Sequence, residues 1–75
     1  MANIFAAQQA REKVEEELQA LRQGVEKRAV VQALQFRKEN YHASINNRAY
    51  SCTEERSDYY RAIEILDDAL RNLGH

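Results

Sequence analysis

The sequence predicts an all-α fold, an antiparallel helical hairpin with a long first helix (about 3–45) and a second helix (about 53–73), dimerising into a helical bundle. Three observations carry this. The 75-residue chain has no proline and only two glycines, Gly24 and Gly74, so the usual punctuation of strands and turns is missing. Its apolar residues recur at helical spacing. Its size limits it to one domain, residues 1–75, with a single thin core: four Ile, six Leu, four Val and two Phe are the large aliphatic and phenyl side chains available.

The C-terminal helix is the clearest element. Tyr59, Ile63, Leu66, Leu70 and Leu73 follow one another at steps of 4, 3, 4 and 3, which places them on one face. Ser51 or Thr53 supplies a start, and Ser51 with Glu54 fits a capping box. Glu54, Glu55 and Asp58 set negative charge in the first turns, where the helix dipole favours it. Arg71 in the last turn and Gly74 beyond it mark the stop.

Upstream, residues 46–51 read as the connection, because asparagine tolerates turn conformations. Val30, Leu34, Tyr41 and Ile45 form the facing stripe, with the stem of Arg37 between Leu34 and Tyr41. Charge supports the pairing: residues 22–48 hold six basic and two acidic side chains, and 49–75 hold three basic and six acidic. A fold about residues 48–49 sets Arg28 near Asp67 and Asp68, Arg37 and Lys38 near Asp58, and Leu73 opposite Gly24.

That register leaves the residues before Gly24 unpaired, although they carry an apolar stripe of Val14, Leu18, Leu21 and Val25, preceded by Ala7 and Ile4. In a continuous first helix the stripe is buried against a second copy, so these four residues are expected to mediate self-association. The alternative is a monomeric three-helix bundle bent at Gly24. Gly24 followed by Val25 resembles a glycine cap with its hydrophobic follower, which favours the bend. Glu26-Lys27-Arg28 offers no side-chain cap to restart a helix, which favours continuity.

Chemistry is sparse. One cysteine, Cys52, and two histidines, His42 and His75, fall short of the four converging ligands of a zinc site. Cys52 and His42 can approach across the turn, but no oxyanion hole or phosphate loop accompanies them. No catalytic, cofactor or metal residue and no small-molecule substrate is therefore expected, and the chain reads as a non-enzymatic protein-protein interaction, regulatory or adaptor protein. Tyr41, Tyr50, Tyr59 and Tyr60 gather at the turn end, and His42, Arg48, Tyr50 and Tyr60 form a candidate patch for another protein. The alternative function is a nucleic-acid-binding module using the basic segment 22–48, with Arg22, Lys27, Arg28, Arg37 and Lys38 as phosphate contacts. A net charge of −1 is far from the basic footprint of a dedicated binder. An unpaired cysteine, the absence of a basic, apolar leader and the lack of a long apolar run point to a soluble cytoplasmic protein without membrane contact.

Overall fold

The computed structural model describes residues 6–47 and 53–74. Within them the chain forms three helices, α1 (Ala6–Arg22), α2 (Lys27–Asn47) and α3 (Thr53–Asn72). Every pair of helices is in contact. The Ala6 end of α1 meets Tyr41 near the end of α2 and Asp58 near the start of α3. At the opposite end Lys27, which opens α2, lies against Gly74, which follows α3. α1 and α3 are therefore parallel, with α2 antiparallel to both.

The expected continuous helix over 3–45 is thus two helices, and the three-helix arrangement bent at Gly24 fits. The break has a local cause. Gly24 adopts φ +104°, a conformation that disfavours any side chain. The Val25 N–H donates to the Ala20 carbonyl at 3.0 Å and the Gly24 N–H to the Leu21 carbonyl at 3.2 Å. That pair of bonds is a Schellman motif, which satisfies carbonyls that the end of α1 would otherwise leave free. α2 restarts without a capping side chain: the Glu26 backbone carbonyl accepts from the N–H groups of Ala29 and Val30. Gly74, at φ +82°, closes α3 in a similar way, donating to the Arg71 carbonyl at 2.9 Å.

The core runs between the three helices. Val30, Leu34, Tyr41 and Ile45 of α2 are buried, as are Ile63, Leu66 and Leu70 of α3, while Tyr59 and Leu73 pack half-buried against them. α1 contributes Ala6 and Ala10, which share the core with Ala62 and Ala69 of α3. Short side chains let two helix backbones approach closely, so an alanine-rich seam buries backbone as well as methyl groups.

The interhelical register differs from the one expected. Lys38 pairs with Asp67, and Asp68 with Arg71 of its own helix; α2 ends at Asn47 and α3 begins at Thr53, so the two arms are centred on residue 50 rather than on 48–49. Residues 48–52, among them Arg48, Tyr50, Ser51 and Cys52, lie outside the described residues, as does Ile4. Arg28 therefore does not meet Asp67, Lys38 does not meet Asp58, and Leu73 lies with Lys27, Arg28 and Val31 rather than with Gly24.

Candidate interaction surface

Two features stand out: a buried polar cluster at one end of the bundle and an uncharged outer face on α2. The cluster centres on Asp58, the one buried charged residue among those described, with 6% of its surface exposed. Its two carboxylate oxygens accept the Ala6 N–H at 2.7 Å and the Ala7 N–H at 3.2 Å. α1 has no acidic residue in its first turn. A carboxylate from α3 supplies that negative charge, so the N-terminal cap of one helix is built by another. Tyr41 sits beside it, its hydroxyl donating to the Ala6 carbonyl over a long 3.5 Å and its ring edge-on to Tyr59 at 5.7 Å. Burial pushes the Tyr41 hydroxyl above its usual value; the Arg37 guanidinium beside it opposes the shift, while Tyr59 and Asp58 reinforce it. The Asp58 carboxylate and the Tyr41 hydroxyl are thus both engaged inside the fold, where they brace the start of α1 against α2 and α3.

The expected self-association stripe is divided. Val14 and Leu21 pack against the core, Leu18 is half-buried, and Val25, the residue after the glycine cap, is 43% exposed. Folding α1 back thus covers much of the apolar surface that a second copy was expected to cover. Of the expected partner patch, Tyr60 and His42 are exposed. Lys38 and His42 share one flank of α2, and Asp67 and Tyr60 one flank of α3, so the Lys38–Asp67 pair places all four along the α2–α3 seam. Arg48 and Tyr50 lie outside the described residues.

The candidate phosphate contacts are dispersed. Arg37 bonds Tyr41, Lys38 pairs with Asp67, and Lys27 lies against Gly74, whereas Arg22 and Arg28 are exposed. Among the described residues no three His, Cys, Asp or Glu side chains are grouped to hold a metal ion. No helix there is long and apolar enough to cross a membrane.

The outward face of α2 was not singled out by periodicity. Ala29, Gln32, Ala33, Phe36, Asn40 and Ala43 follow the steps of one helical stripe directed away from Val30, Leu34 and Tyr41. None of the six carries a charge in a chain that is 31% charged. Ala29, Gln32, Ala33 and Phe36 line a shallow hollow with Gln35 and Glu39. Phe36 stands in it with 67% of its surface exposed, the most exposed of the large apolar side chains described. The available signal was the position of Phe36, a phenyl ring on the side of α2 opposite the core stripe and among uncharged neighbours. Comparison with protein-family models, curated proteins and solved structures finds no match to this chain.

Proposed function

We propose that this chain is a non-enzymatic protein-interaction module, of the regulatory or adaptor kind, and that the outer face of α2 is its contact surface. The exposed Phe36 at the centre of an uncharged stripe carries the reading. Interfaces favour aromatic anchors and exclude charge from their centres, and this face has both properties. The core next to it is small, with Leu34, Leu66 and Val30 the largest side chains that are fully buried. A chain with so little apolar volume gains most by burying a phenyl ring, yet this ring faces out. Nucleic acid is the weaker reading, because Arg37 and Lys38 are engaged within the bundle, Lys38 by Asp67 of α3, and the chain's net charge is −1. A lone cysteine suits a reducing compartment, so the cytoplasm is the proposed location.

A photo-crosslinking residue in place of Phe36, compared with one in place of Glu16 on the outer face of α1, tests the proposal in the full chain. The expected result is a discrete protein adduct from position 36 alone, suppressed by Ala29→Arg while helicity is unchanged. Equal adducts from both positions, or an adduct indifferent to Ala29→Arg, would contradict it.

A further inference from the structure

We infer that the occupant of the α2 face is a second copy of this chain, docked antiparallel about a two-fold axis that passes between residues 33 and 34 of the paired α2 helices. The inference rests on the interaction reading above and names its partner. Two independent features of the face point to self-recognition.

The first is shape. In a symmetric contact each copy must present both a knob and the hole that receives it. Ala29, Gln32, Ala33 and Phe36 occupy the i, i+3, i+4 and i+7 positions that frame a hole on a helix surface, and small residues at 29 and 33 leave it open. With the axis between 33 and 34, Phe36 of one copy falls opposite position 31 of the other. Its side chain leans toward its own N-terminus, which brings the ring over the partner's Ala29, Gln32 and Ala33. The symmetry operation makes the same contact a second time.

The second is charge. Arg28 and Glu39 flank the stripe, both exposed, and neither forms an ion pair with another described residue. They are eleven positions apart, close to three full turns, so they stand on the same flank at a separation of about 16 Å. That distance is too long for a direct bond within one chain. An antiparallel two-fold places like flanks together, and the same axis that seats Phe36 sets Arg28 of each copy beside Glu39 of the other. Seating the ring and pairing the charges therefore require one and the same register. Lys27, the other basic residue nearby, lies against Gly74 away from this contact.

The test is the mass of the full chain by light scattering over a concentration series, with Arg28→Glu, Glu39→Arg, the double exchange and Phe36→Glu beside the parent. The parent is expected to reach about twice the 8.7 kDa chain mass and Phe36→Glu to remain single at all concentrations. Each charge reversal is expected to weaken association roughly tenfold, because two symmetric pairs turn from attraction to repulsion. The double exchange should restore the parent affinity to within about threefold, a recovery that only a contact between copies can produce. Circular dichroism verifies that each variant is folded.

A single-chain mass at every concentration up to about 1 mM, the scale of the weakest specific contacts, would overturn the inference. So would a dimer that survives Phe36→Glu, or a double exchange weaker than both single reversals. A heavier, hetero-protein adduct at position 36 alongside a monomeric parent would leave the interaction reading standing and remove the second copy as its partner.

Discussion

Replacing Asp58 should loosen α1 selectively, and the size of the effect follows from its two bonds. The carboxylate is 6% exposed and holds the Ala6 and Ala7 amides at 2.7 and 3.2 Å, joining residues more than fifty positions apart. In Asp58→Ala both amides lose their acceptor. Loss of a helix cap costs about 1–2 kcal/mol, and each amide kept from water adds about 1–3 kcal/mol before relaxation. Partial hydration of the freed helix end offsets some of this, so a net loss of about 2–4 kcal/mol is expected. A 75-residue domain has a total stability of about 4–11 kcal/mol, so the change removes a large fraction of it. Asp58→Asn keeps one acceptor but no charge, and should lose about 1–2 kcal/mol. Urea denaturation followed by circular dichroism gives both values. Hydrogen exchange at Ala10 and Arg11, whose amides reach the carbonyls of the first turn, reads α1 in particular and should accelerate before exchange in α2 and α3. If Asp58→Ala lies within about 0.5 kcal/mol of the parent, the range of an ordinary surface substitution, the interhelical cap does not hold α1 in place.

Other perturbations separate core, turn and surface. Leu34→Ala empties a fully buried position and should cost about 2–5 kcal/mol in urea denaturation, whereas Phe36→Ala, measured on the dilute monomer, should change stability by less than about 0.5 kcal/mol. Gly24→Ala meets no atom within 4 Å, so its expected loss of about 1–2 kcal/mol comes from the positive φ alone and is read from the same denaturation curve. Tyr41 contributes to pH dependence only in alkali. Its folded-state value lies above the ordinary 10.0, so its contribution is complete below about pH 10 and is lost as pH rises through the folded value. Thermal melts from pH 8 to 11 should show that decline, and Tyr41→Phe should remove the part of it that belongs to this hydroxyl.

How much could be read from the residues differs from element to element, for physical reasons. α3 was legible because a regular 4-3-4-3 stripe and a C-terminal glycine are local signals. The end of α1 was legible as an option, since Gly24-Val25 is the signature of a glycine cap. The restart of α2 was not, because the backbone carbonyl of Glu26 begins it and no side chain announces that. In α1 the buried face is marked by alanine. Ala6 and Ala10 bury little area each, so Val14, Leu18, Leu21 and Val25 drew attention, yet the small residues let α1 settle against Ala62 and Ala69 of α3. Asp58 looked like a first-turn dipole residue of α3, and its role toward α1 depends on a contact across the whole chain. The α2–α3 register is offset because α2 runs to Asn47 and α3 begins at Thr53, which centres the two arms on residue 50. Phe36 lies off the core stripe of α2, and helical periodicity marks only what faces inward, so the pattern of apolar residues carries no sign of it.

Both the cap on α1 and the outward aim of Phe36 depend on the chain reversing at Gly24, and one distance tests that reversal. Spin labels replace Gln9 and His42 in a Cys52→Ala background, and labelled chain is diluted into unlabelled so that only distances within one chain are read. The bundle places both labels at the same end, where Ala6 and Tyr41 touch, and predicts a separation under about 25 Å, two helix diameters. A helix continuous through Gly24 would hold them about 50 Å apart at 1.5 Å per residue, farther than the 42 Å length of the bundle, and that result would contradict the account.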